Sequence, residues 1–196
     1  MLELNGLSKT FGGVKAVNNV SLCIEAKEVR GLIGPNGAGK STLVNLISGL
    51  LKQSAGSLKL DGTILDGMAA PKRAQMGIGR TFQNLRVFPS LTVQQNIEVA
   101  QSAIRAGGPK HEKFVQNAIS KFNLSDSLNM RAGNLAYGYL RRLEIVRALA
   151  LQPKIIMLDE PAAGMNEHET KVLAEALRWL RQQSDCAMLV IDHDLK

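Results

Sequence analysis

The sequence predicts an α/β fold with a mainly parallel core sheet, an antiparallel β piece at its start and a small helical subdomain. Three observations carry this. Apolar runs of strand length, Val29 to Ile33, Ile155 to Leu158 and Ala187 to Ile191, alternate with segments of helical periodicity. A glycine-rich turn joins the first of these runs to a helix. From Thr92 the pattern turns helical, within an insert of about Phe88 to Gly133. Strands alternating with helices imply a parallel sheet covered on both faces.

Taken in order, Leu4, Leu7 and the Phe11-Gly12-Gly13 turn open an antiparallel piece, continued by the alternation of Val20, Leu22 and Ile24 with Ser21, Cys23 and Glu25. Behind the glycine turn, Leu43, Val44, Ile47, Leu50 and Leu51 recur at helical spacing. Leu58 and Leu60, then Asp61-Gly62, then Ile64 and Leu65 predict a hairpin. Thr92 and Gln95 are spaced as a capping box, and Gly107-Gly108-Pro109 breaks the helix that they open. Phe114, Val115, Ala118, Ile119 and Phe122 form the face of the next helix. Leu140, Leu143, Val146, Leu149 and Ala150 line another, ended by Pro153, and a last helix spans Glu169 to Gln183. One domain is expected over residues 1–196, with 1–87 and 134–196 as its core and about 88–133 as the helical insert.

The chain has 196 residues, 45% hydrophobic and 21% charged, which is globular usage. No apolar run approaches the roughly 18 residues of a membrane span. The start lacks a secretory pattern, and Cys23 and Cys186 lack the spacing of a metal or redox pair. A reducing cytosol fits this. The net charge of +7 is scattered, with short pairs at Lys72-Arg73 and Arg141-Arg142, and is read as a solvated basic surface.

Gly34-Pro35-Asn36-Gly37-Ala38-Gly39-Lys40-Ser41 matches the phosphate-loop (Walker A) pattern in full, with Thr42 following. Glycines let successive backbone N–H groups converge on phosphate oxygens, and the next helix adds its N-terminal dipole. Lys40 is expected to reach the β- and γ-phosphates of ATP, and the Ser41 hydroxyl to ligate Mg²⁺. Ile155 to Leu158 ends in Asp159-Glu160, a buried strand that delivers carboxylates to the sheet's carboxyl edge, where ligands bind. Asp159 is expected at the metal and Glu160 at the attacking water. His193 follows the last strand and is expected at the γ-phosphate, whereas His111 and His168 are expected to face solvent.

Asn134 to Glu144 stands just before the Asp159 strand, and with the phosphate loop this order resembles the ATP-binding cassette (ABC) family of P-loop NTPases along the whole chain. The resemblance implies that Phe11 stacks on adenine. It implies that Gln83 joins core to subdomain and reaches the metal and the water, and that His193 is the switch histidine. It further implies a head-to-tail dimer with a second ATP-binding subunit, in which Ala136, Tyr137 and Gly138 face the partner's nucleotide. Gly79 to Gln83, Leu135 to Gly138 and Glu160 to Gly164 look most like the branched-chain amino acid importers, whose relatives serve urea or short amides. An ATPase is thus expected, peripheral at the cytoplasmic face of the membrane. Its expected partners are transmembrane permease subunits and, indirectly, a substrate-binding protein, with no nucleic acid.

Ala136 and Tyr137 replace the general family's serine and glycine, and Tyr139 replaces the branch's glutamine, either as a signature residue or as a packed aromatic. The family continues past the switch histidine, so the end at Lys196 is expected to be a truncation. Two other functions fit the motifs: an ABC ATPase acting on nucleic acid or ribosomes, and a module that holds ATP without turnover.

Overall fold

A computed structural model describes residues 1–104 and 108–193. Gly107, part of the expected helix break, and Asp194, beside His193, lie outside the described residues.

Two four-stranded sheets organise the chain. The antiparallel one has the order β2-β1-β4-β5, with β1 Leu2–Phe11, β2 Val14–Ile24, β4 Ala55–Leu60 and β5 Thr63–Ile64. The parallel one has the order β3-β8-β7-β6, with β3 Val29–Ile33, β6 Ile78–Arg80, β7 Ile155–Asp159 and β8 Ala187–Asp192. All five residues of β7 are buried, as a strand covered on both faces requires. Its period of two divides the core. Ile155 and Met157 join a cluster with Leu43, Val44 and Ile47 of α1 (Lys40–Ser48) and the inner face of the antiparallel sheet. Ile156 and Leu158 join the helices α3 (Val93–Ser102), α4 (Gly108–Lys121), α5 (Tyr137–Ala150) and α6 (Glu167–Gln183) on the other side.

Several boundaries move. Helix α1 stops at Ser48 because Gly49 turns left-handed (φ 79°), so Leu50 is 51% exposed rather than on the buried face. Helix α5 begins at Tyr137, and α6 begins at Glu167 behind a capping box of Asn166 and Glu169. The Thr92–Gln95 box forms in both directions. Short helix α2 (Ala70–Gln75) and strand β6 have no periodic signal in the sequence.

Of the two basic pairs only Lys72 is exposed, as a solvated surface would require. Arg141, Arg142 and Arg73 are buried. Arg73 donates to the carbonyls of Leu46 and Ile47 at 2.7 and 3.0 Å, closing the end of α1. Arg142 donates to Gly138 and Phe122 and lies over the Tyr139 ring at 4.1 Å, so Tyr139 is a packed aromatic. His111 is likewise buried, with Nε2 at 3.0 Å from the Ala150 carbonyl, contrary to the expected exposure; His168 is exposed.

Candidate nucleotide site

Parallel register brings the site together. Ile33 pairs with Asp192, Asp159 with Ile191 and Arg80 with Met157, so four strands release their next residues at one sheet edge. A cavity of about 220 Å³ opens there, lined by Ala16, Asn36 to Thr42, Gln83, Asp159 and Glu160.

Gly39 (φ 90°) ends the loop and α1 begins at Lys40, with no side-chain cap and no acidic residue in the first turn. Its leading N–H groups therefore have no carboxylate from the helix's own first turn as a partner, the arrangement that binds anions. Lys40 Nζ donates to the carbonyls of Gly34 and, at 3.1 Å, Pro35.

Asp159 is 7% exposed, and its amide donates to Thr81 Oγ1 at 3.1 Å. Burial raises its carboxyl above the usual range, while the Arg80 guanidinium, 3.9 Å away, opposes this. Glu160 has φ 46°, a left-handed backbone that is unfavourable for a non-glycine residue. Its amide donates to Ile191 at 2.9 Å, and its carbonyl accepts from the Ala163 amide at 3.1 Å and from Arg141 Nη2 at 3.3 Å. His193 Nδ1 lies 3.8 Å from Glu160 Oε1 and 3.2 Å from Asp192 Oδ1, at the exposed rim.

Of the expected residues, then, Asn36 to Thr42, Gln83, Asp159 and Glu160 share one cavity and His193 adjoins it, whereas Gly34 and Pro35 do not line it. Phe11 does not line it. That ring is 47% exposed on the β1–β2 turn, beneath Lys9 Nζ at 5.0 Å. Ala136, Tyr137 and Gly138 also stand apart, at the uncapped start of α5, with Tyr137 42% exposed. The hard oxygen donors of Ser41, Gln83 and Asp159 suit Mg²⁺, which takes few protein ligands and completes its shell with phosphate and water. Among the described residues no cluster of three or more His, Cys, Asp or Glu forms a separate metal cage.

Sequence reasoning missed the shell behind these groups. The Phe82 ring contacts the guanidinium groups of both Arg80 and Arg86, 4.3 and 4.2 Å from its centre. Arg141 and Glu144, both buried, bond the backbone around Gln83. The available signal was two opposite charges one turn apart in a helix otherwise rich in core residues.

The sequence profile of the family described as "ABC transporter" matches residues 17–163. The chain is 40% identical over 211 aligned positions to the high-affinity branched-chain amino acid transport ATP-binding protein BraF of Pseudomonas aeruginosa. It is 41% identical over the same length to LivG of Escherichia coli K12, named for the same transport. Both alignments cover 100% of this chain and 83% of the relative. A lipopolysaccharide export ATP-binding protein, LptB of Haemophilus influenzae, is 34% identical, with 100% and 81% covered. Among solved structures, a nucleotide-free ATP-binding cassette superposes with a TM-score of 0.86 at 28% identity, covering 100% of this chain and 82% of that one. A dimeric cassette in a post-hydrolysis state with ADP and Pi gives 0.84 at 27% identity, with 99% and 88% covered. A nucleotide cavity at the carboxyl edge of the sheet, a full-length match to transport ATP-binding proteins and superposition on solved cassettes agree: this chain belongs to the ABC transporter family, as one of its ATP-binding cassettes.

Proposed function

We propose that this chain binds ATP with Mg²⁺ and hydrolyses it to drive the import of branched-chain amino acids through membrane-spanning permease subunits. The observation that carries the reading is the convergence of Lys40, Ser41, Gln83, Asp159 and Glu160 on one cavity. Lys40 and the loop amides bind the phosphates. Ser41, Gln83 and Asp159 hold Mg²⁺, which neutralises charge developing on the phosphate oxygens. Glu160, aimed by its left-handed backbone, orients and deprotonates the attacking water, and His193 donates to the γ-phosphate from the rim. Phe11 stacks on adenine.

Two such chains close head to tail, each bringing the start of α5 at Ala136, Tyr137 and Gly138 to the other's nucleotide. With no serine hydroxyl there, contact rests on backbone N–H groups and the helix dipole. No helix among the described residues is long and apolar enough to cross a membrane, so passage falls to the permease partners. The contact we assign to them is a groove of about 660 Å³ beside Gln83, where Phe88 and Val99 are exposed next to Phe82, Arg86 and Arg147. The chain then works peripherally at the cytoplasmic face, with a substrate-binding protein acting through the permease. Identity to the amino acid importers exceeds that to the lipopolysaccharide exporter, which supports the cargo.

The test is reconstitution of the chain with its co-purifying permease in proteoliposomes. Binding protein loaded with leucine, isoleucine or valine is expected to stimulate ATP hydrolysis at least severalfold. Stimulation by urea or a short amide instead would reassign the cargo, and failure to recover any membrane partner would contradict the transport role.

A further inference from the structure

A buried ion pair in α5 lies behind the acting groups rather than among them. Arg141 is 0% and Glu144 4% exposed. Glu144 Oε1 accepts the amides of Phe82 at 3.1 Å and Arg86 at 3.3 Å, one on each side of Gln83. Its Oε2 accepts from Arg141 Nη1 at 3.1 Å. The same Nη1 donates to the Phe82 carbonyl at 2.6 Å, while Nη2 reaches the carbonyls of Gln83 at 3.5 Å and Glu160 at 3.3 Å. One helix turn thus grips the backbone of both Gln83 and Glu160. The same helix carries Tyr137 and Gly138 in its first turn.

Stability is a weak account of such a pair. Taking both charges out of water offsets much of their attraction, and apolar replacement of a whole buried pair is often neutral or stabilising. Geometry is the better account, because two side chains make four bonds to the backbone of the loop around Gln83 and a fifth to that of Glu160.

We propose that Arg141 and Glu144 form a positioning pair that holds the backbone of Gln83 and Glu160 against α5 and so sets where these two groups stand in the cavity. This rests on the proposed roles of Gln83 and Glu160. Neither member of the pair touches ATP; both act through the backbone they hold. Misplacement of a reacting group by about 1 Å can slow chemistry on the order of 100-fold.

The experiment compares Arg141→Met, Glu144→Leu, the double variant and Glu144→Gln in the full chain. Each apolar single variant leaves one buried charge unpaired and is expected to lower the melting temperature. The double variant is expected to regain thermal stability. It should bind ATP within about twofold of the parent yet hydrolyse it roughly 10- to 100-fold more slowly. Hydrogen exchange at the Phe82 and Arg86 amides should accelerate in parallel. Glu144→Gln keeps an oxygen for those amides and is expected to recover most of the rate and the protection that Glu144→Leu loses. A double variant that regains stability and rate together would make the pair merely structural and overturn the proposal. Should the double variant not fold, Glu144→Gln exchanging as fast at these amides as Glu144→Leu would overturn it equally. Exchange reads the loop even in a chain that hydrolyses nothing, so failure of the proposed ATPase role is told apart from failure of the pair.

Discussion

A β-carbon built on Gly39 falls 2.1 Å from the carbonyl oxygen of Ala16, inside any permissible contact. The phosphate loop is therefore seated directly on the backbone of β2, and the seat tolerates no side chain. Gly39 also has φ 90°, a backbone that L residues rarely adopt. Gly39→Ala is expected to push the loop off the strand, weaken ATP binding at least about tenfold and lower the melting temperature by several degrees. Gly37 provides the control, since φ is 82° there but nothing lies within 4 Å of an added β-carbon. Gly37→Ala should bear only the left-handed strain, about 1–2 kcal/mol. Calorimetric titration with ATP and thermal unfolding of both variants check this, and equal losses would contradict it.

Arg73 should matter through α1 rather than through surface charge. Its guanidinium satisfies the carbonyls of Leu46, Ile47 and Met68, at the negative end of the helix whose other end faces the nucleotide cavity. Arg73→Met removes the donors to Ile47 and Met68 and leaves Leu46 with the Gly49 amide alone. A loss of about 2–3 kcal/mol is expected, a fall in melting temperature of roughly 5–10 °C for a chain of this size. ATP affinity of the folded fraction should change little. Thermal unfolding with and without nucleotide separates the two effects.

Asp61 gives the fold a pH-dependent contribution. Its carboxylate meets Lys154 Nζ and the N-terminal ammonium, each at 2.5 Å, and these donors hold its pKa down to about 2. A folded pKa below the unfolded value, about 3.9, gives stability that is present above that value and lost as pH falls through the folded one. The side chain is 43% exposed, so solvent screening limits the effect to less than about 1 kcal/mol. Asp61→Asn should therefore be slightly less stable than the parent near neutral pH. The difference should shrink below about pH 4 and in high salt. Denaturant unfolding across that range checks it; a difference independent of pH would contradict the assignment.

The sequence was most informative where function is written in adjacent residues. Gly34 to Ser41 is a contiguous loop, and Asp159-Glu160 and His193 follow strands whose apolar runs announce them, so their sharing of one edge followed from fold class alone. What was hidden depends on distant partners. Strand β6 has three residues and no measurable period, yet it carries Gln83 to the cavity through pairing with β7. Arg73, Arg141, Arg142 and His111 look like surface residues by type, and each is buried against a carbonyl far along the chain that local sequence does not announce. The end of α1 was misjudged because the apolar period runs on through Leu50 while Gly49 stops the helix. Phe11 and Ala136 to Gly138 stand outside the cavity, and the roles proposed for them rest on family resemblance rather than on this chain's own geometry.

The central claim is that this cavity hydrolyses ATP with Glu160 acting on the water. Steady-state phosphate release by the parent and by Glu160→Gln, with ATP binding measured on the same samples, tests it most directly. The account predicts bound ATP at near-parental affinity and a rate lower by a factor on the order of 100 or more, as loss of a general base entails. A Glu160→Gln variant that hydrolyses ATP at the parental rate would contradict it.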